Sequence, residues 1–231
     1  MEHLGLNRSG VFAEYFVSRA DRVRKKTPEM TFETATLMEP VCVCLESLAR
    51  GGVTENSRVL ILGDGPFGIL TAKLCLFKKS KQVILTGWHD YRLQKAGFAQ
   101  TINAKNQPDT VKAIMDKTEG HGIDTAILCV SSLQAIDTAI EVLRPRGTLV
   151  VFSSSYGKTP VDLFRLHVKE LSITGACNDN DFMDYAMILL NDASLDLSSV
   201  ITHKMPFENW KDAFWQAENG KDSGLKVCME V

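Results

Sequence analysis

No stretch of this chain approaches the roughly 18 uninterrupted apolar residues that cross a bilayer, and Met1-Glu2-His3 opens acidic where a secretory leader is basic. Neither a membrane span nor an export signal is expected, so the expected compartment is the cytoplasm. Charge of one sign is also lacking. The 26 Lys and Arg face 28 Asp and Glu for a net charge of −2, and the cations are scattered. That leaves no basic stripe to neutralise phosphates along a nucleic acid, and no such partner is expected. The six cysteines, Cys42, Cys44, Cys75, Cys129, Cys177 and Cys228, never take the C-x-x-C spacing of zinc ribbons or thioredoxin-like sites. Lying mostly in apolar runs, they read as reduced core residues. Repeats and low-complexity segments are absent too. What is there is a 231-residue chain, 45% hydrophobic and 23% charged, long enough for a core that needs no covalent staples.

From about residue 57 onward, short apolar runs alternate with amphipathic stretches. Ser57 to Gly63 is a continuous β-branched run ended by glycine, the pattern of a strand buried on both faces. Pro66 to Lys78 places Phe67, Leu70, Leu74 and Phe77 at helical spacing. The alternation continues with a strand at Val83–Thr86, a helix at Tyr91–Ala99, a strand at Thr101–Ile102 and a helix at Thr110–Lys117. It then gives a strand at Asp124–Val130, a helix at Leu133–Leu143, and strands at Gly147–Phe152 and Leu171–Ala176. Strands separated by helices of this length make parallel crossovers, so the expected fold is α/β, a doubly wound parallel sheet with helices on both faces. Gly10–Val17 and Arg22–Lys25 read as ends of a β-rich lobe, Phe207–Glu218 as a helix and Leu225–Val231 as a closing strand.

Gly63-Asp64-Gly65-Pro66-Phe67-Gly68 fits G-x-G-x-x-G directly after the first buried strand and at the start of the first helix. In that setting the glycines permit a tight turn, a close approach of backbone to pyrophosphate, and helix-to-strand contact. The end of the second strand, where an Asp or Glu takes the ribose hydroxyls of NAD, holds Thr86-Gly87-Trp88-His89 instead, and Asp90 is better placed as a helix cap. Gly87 is expected to leave room for a 2′-phosphate that His89 and Arg92 would face, which favours NADP over NAD. The alternative is that Arg92 covers the adenine while NAD is still accepted.

A series of ordered segments resembles the medium-chain dehydrogenase/reductase family, in its zinc-type alcohol, sorbitol and threonine dehydrogenase branches. Gly10 to Tyr15 resembles G-x-F-A-E-Y, Met38 to Val41 resembles the E-P-L of the polyol branch, and Gly63 to Gly68 resembles G-x-G-P-x-G. Gly120 to Asp124 resembles G-x-G-V-D, Leu143 to Gly147 resembles L-R-P-G-G, and Lys169 to Gly175 resembles K-E-L-x-I-x-G. Ile201-Thr202-His203, Phe207, Ala213-Phe214 and Lys226-Val227 resemble the closing signature.

The resemblance implies a Rossmann domain over residues 40–180, a remnant of a GroES-like catalytic lobe over 1–39, and a segment returning to that lobe over 181–231. It implies hydride transfer between a small alcohol or polyol and NAD(P), with zinc as Lewis acid in intact relatives. Val130, Ser131, Ser153, Ala176 and Cys177, at the ends of later strands, join the glycine turn as expected coenzyme lining. Of the active-site groups only Glu39 carries over, and alone it cannot hold a metal that needs three protein ligands. Cys42, Cys44 and Glu46 follow it at helical spacing, where i and i+2 point apart, so no metal site is expected in this chain. Two other readings stay open: a catalytically silent dinucleotide-binding module, and a zinc-independent reductase. His203 reads as a packing or strand-end residue and His121 as an exposed turn residue. Relatives often pair through the edge of the sixth strand, so a homo-oligomer is a further expectation.

Overall fold

The computed structural model describes residues 5, 7–97, 99–154, 157–178, 181–220 and 223–230. A short helix α1 (Phe32–Ala35) leads into α2 (Met38–Arg50), after which strands and helices alternate. They run β1 (Arg58–Leu62), α3 (Pro66–Phe77), β2 (Gln82–Gly87), α4 (Asp90–Gln94), β3 (Gln100–Asn103), α5 (Thr110–Lys117), β4 (Ile123–Leu128), α6 (Leu133–Val142), β5 (Leu143–Val151), α7 (Leu163–Val168) and β6 (Ser172–Gly175). The six strands form one sheet in the order β3-β2-β1-β4-β5-β6, with every neighbouring pair parallel. This is the doubly wound topology, with its order reversing beside β1.

The unbroken apolar runs follow from burial on two faces. Val59 and Ile61 of β1 turn to one core with α2 and α3, while Leu60 and Leu62 turn to the other with α5 and α6. Alternate side chains of one strand therefore serve opposite cores, which leaves no polar face to mark. The second face of α2 is covered by α8 (Met183–Asn191), and that of α3 by the turns that follow it at Ala193–Leu195 and Leu197–Val200. A buried Lys73 in α3 tethers the chain just beyond it, with Nζ donating to Asp196 O (2.8 Å), Asp196 Oδ2 (2.9 Å) and Ser199 Oγ (3.0 Å).

Several residues of the ordered motifs hold loops rather than ligands. Asp124 accepts from the Arg58 amide at 2.6 Å and pairs with Arg144, fixing β1, β4 and β5 at their starts. Lys169 donates to the carbonyls of Ile140 (3.2 Å), Glu141 (2.6 Å) and Leu143 (2.9 Å), capping the end of α6, where its partial burial lowers its pKa. Arg146 stands where the family pattern has glycine and takes φ 64°, a left-handed conformation costly for a side chain.

Three local expectations are corrected. The helix expected over Tyr91–Ala99 stops at Gln94, because Gly97 turns left-handed at φ 70°. Gly10–Val17 carries no strand among the described residues: it is exposed and irregular, and Phe12 packs on Phe207 and Phe214 (centroids 6.5 and 5.9 Å). Arg22–Lys25 follows a 3-10 turn at Ala20–Arg22 and likewise carries no strand, since a strand exists only by pairing. The closing strand β8 (Lys226–Glu230) pairs in parallel with an unanticipated β7 (Ile201–Pro206), across the helix α9 (Trp210–Asn219).

Leu70, fully buried at the centre of α3, is expected to cost about 2–5 kcal/mol when cut to alanine. Chemical denaturation measures this; a loss below about 1 kcal/mol would show that α3 is not packed as described.

Candidate coenzyme site

The carboxyl ends of β1, β2, β4, β5 and β6 lie along one edge of the sheet, and the glycine turn sits at its middle. Gly63 takes φ 120° and donates its amide to Thr86 O at 2.9 Å; a Cβ there would lie 3.1 Å from the Cys129 carbonyl. A Cβ on Gly68 would lie 1.9 Å from Gly63 O, so α3 starts in direct backbone contact with the end of β1. Gly65 differs from both. It is the N-cap of α3, with Pro66 next, and a Cβ there would meet nothing within 4 Å. The amides of Phe67 and Gly68 have no intrahelical acceptor, and no side chain caps them. The turn is therefore open on the one side from which an anion would approach these amides and the positive end of the helix.

The expected lining residues gather along the same edge. Phe67 is partly exposed and meets Phe152 edge-on at 5.6 Å. Val130 is partly exposed beyond β4, and Cys177 is exposed beyond β6. Ala176 is buried, its amide donating to Val151 O at 3.0 Å. Ser131 Oγ donates to Ser154 O at 2.7 Å and Ser153 Oγ to Val130 O at 3.2 Å. These hydroxyls tie the ends of β4 and β5 together. Arg92 is half-buried in α4, with its Nε buried and unpartnered among the described residues. Such an orphan donor is costly without an acceptor.

The room expected above Gly87 is not there. A Cβ on Gly87 would lie 2.3 Å from Asp64 Cβ and 2.5 Å from Asp64 Cγ and Oδ2. The Asp64 carboxylate fills the volume that a side chain at 87 would take. Its Oδ2 accepts from the amides of Trp88 (2.7 Å) and His89 (2.7 Å) and faces His89 Nδ1 at 3.1 Å. His89 is thus held by a carboxylate through its amide and its Nδ1. One support of the NADP expectation, the space at Gly87, is removed, while His89 Nε2 and Arg92 remain. Beside this pair a cavity of about 240 Å³ opens at the ends of β2 and β3, lined by Trp88, His89, Asp90, Tyr91, Asn103, Lys105 and Asn106. The signal for Asp64 was in the sequence, as a carboxylate inside the glycine turn paired with a glycine at the end of β2.

Glu39 lies exposed in the first turn of α2, whereas Cys42 and Cys44 of the same helix are buried. Cys44 is a thiol, its pKa pushed up to about 12 by burial, and it donates to Phe67 O at 3.6 Å. Among the described residues no three His, Cys, Asp or Glu side chains converge, so they do not fit a zinc ion. His203 bonds Thr202 and Gln216 (3.0 and 3.2 Å) on β7, and His121 is exposed in its turn.

A parallel sheet of order 3-2-1-4-5-6 with an open glycine turn at its switch point defines a Rossmann-type α/β protein. Residues 66–191 match the zinc-binding dehydrogenase family, and the chain belongs to it. It is 30% identical to L-threonine 3-dehydrogenase of Pyrococcus horikoshii over 97% of this chain and 66% of that protein. It is 28% identical to sorbitol dehydrogenase of Rattus norvegicus over 96% of this chain and 62% of that protein. The chain thus spans somewhat less than two thirds of the length of these relatives. The same fold is seen in an Escherichia coli protein described as a short chain alcohol dehydrogenase complexed with NADH, with a TM-score of 0.90 and 23% identity, over 99% of this chain and 68% of that one. It recurs in a putative zinc-binding dehydrogenase from Sinorhizobium meliloti bound to NADP, with a TM-score of 0.90 and 21% identity, over 99% of this chain and 68% of that one.

Gly68→Ala is expected to lower stability by about 1–3 kcal/mol, since its Cβ must push α3 off β1. Thermal melting checks this; an unchanged midpoint would show that the contact yields freely. Purified as this chain alone, the protein is expected to carry no stoichiometric zinc, and elemental analysis finding one tightly held zinc per chain would show ligands converging after all.

Proposed function

We propose that this chain binds a nicotinamide dinucleotide along the carboxyl edge of its sheet and takes part in hydride transfer between a small alcohol or polyol and that coenzyme. The observation that carries the reading is the one-sided openness of the glycine turn: Gly63 and Gly68 are closed by backbone, Gly65 by nothing. Tight turns need no such open face, whereas a pyrophosphate does. The amides of Phe67 and Gly68 would hold the pyrophosphate, with no acidic side chain in the first turn of α3 to repel it. The coenzyme, when bound, supplies the hydride donor or acceptor. Val130, Ser131, Ser153, Ala176 and Cys177 would line its nicotinamide half, and the Ser131 and Ser153 bonds keep that wall fixed.

The alcohol or polyol class rests on kinship with threonine and sorbitol dehydrogenases, which extend beyond the part this chain matches. A role for Glu39 at the substrate rests on the same kinship. Pairing of two copies through the outer edge of β6, where Ile173 is partly exposed, belongs to this reading as well. No helix among the described residues is long and apolar enough to cross a membrane, and all six cysteines are free, in keeping with a reducing cytoplasm.

Gly65→Asp tests the reading, because it adds bulk and negative charge where the protein has neither. Calorimetric titration is expected to show dinucleotide affinity falling at least about a hundredfold while the circular dichroism spectrum is kept. Unchanged affinity would remove the pyrophosphate assignment.

A further inference from the structure

We propose that Asp64 is the residue that reads the adenosine ribose and sets the coenzyme preference, so that NADH binds more tightly than NADPH. This rests on the dinucleotide reading above. Two facts about position 87 carry it. The residue at the end of β2 is a glycine, where a ribose-reading carboxylate belongs in NAD-binding sheets of this topology. The space its side chain would fill is taken by the Asp64 carboxylate, with Cγ and Oδ2 both 2.5 Å from the Cβ that Gly87 lacks. The carboxylate is therefore present at its usual place but delivered by the glycine turn. Gly87 is the complement of Asp64, since any side chain at 87 would expel it.

The hydrogen bonds agree with this role. Asp64 Oδ2 is spent on the Trp88 and His89 amides and on the His89 ring, which fixes the carboxylate in one orientation. Oδ1 has no partner among the described residues, although the Asp64 side chain is only 10% exposed. A fixed, unpaired carboxylate oxygen can accept a bond from a ribose hydroxyl, and it repels a 2′-phosphate carrying close to two negative charges. His89 Nδ1 is already turned onto Asp64, so a 2′-phosphate could reach the imidazole only at Nε2, beside the carboxylate that repels it.

Dissociation constants for NADH and NADPH, measured calorimetrically on the purified chain, test the proposal with two variants. Asp64→Asn keeps an oxygen for the two backbone amides and removes the charge. The double variant Asp64→Gly with Gly87→Asp removes the Cβ that would stand 2.3 Å from the new side chain and returns the carboxylate to β2, where residue 87 does not need a left-handed backbone. The wild-type chain is expected to favour NADH, Asp64→Asn to shift the NADPH-to-NADH affinity ratio by about tenfold or more towards NADPH, and the double variant to restore the wild-type preference. A wild-type preference for NADPH, or a ratio unmoved by Asp64→Asn while both coenzymes bind, would overturn the assignment of Asp64 alone. Failure of the wild-type chain to bind either coenzyme would overturn the dinucleotide reading, and the proposal with it.

Discussion

The start of α3 is pressed onto the end of β1 so closely that a Cβ on Gly68 would fall 1.9 Å from Gly63 O, and the candidate site depends on that contact. It brings a helix N-terminus to the middle of the sheet's carboxyl edge, where the strand order reverses. It also aims the first amides of the helix outward past Gly65, where the protein puts nothing in their way. The buried faces of α3, and the Lys73 bonds that pin the segment beyond α8 to it, secure the helix in that position. Stability and ligand geometry thus draw on the same element, because a helix free to slide would not present fixed amides.

A second close approach governs the end of β2. Asp64 and Gly87 are far apart in sequence but share one volume, and the identity of each is set by the other. When the carboxylate moves to the glycine turn, the end of β2 must become glycine, and the amides of Trp88 and His89 gain an acceptor they would otherwise lack. Reading the end of β2 alone therefore overlooks the carboxylate that the glycine turn places there.

That oversight marks the boundary of what was legible in the sequence. The alternation of Val59 and Ile61 against Leu60 and Leu62 between two cores made the parallel sheet readable, and strand, turn and helix around Gly63 to Gly68 made the site readable. The shortness of α4 was hidden because only the left-handed turn at Gly97 reveals it. β7 was hidden because its partner β8 lies across α9, and Gly10–Val17 looked like a strand because an aromatic run does so whether or not a partner edge is offered. The roles of Ser131 and Ser153 depend on carbonyls from neighbouring strand ends, and no local pattern specifies those.

A crystal structure of the chain with NADH would test the account most directly. It should place the pyrophosphate on the amides of Phe67 and Gly68, and an adenosine ribose hydroxyl within about 3 Å of Asp64. A dinucleotide bound away from Gly65, or a ribose facing Arg92 with Asp64 turned from it, would contradict the account.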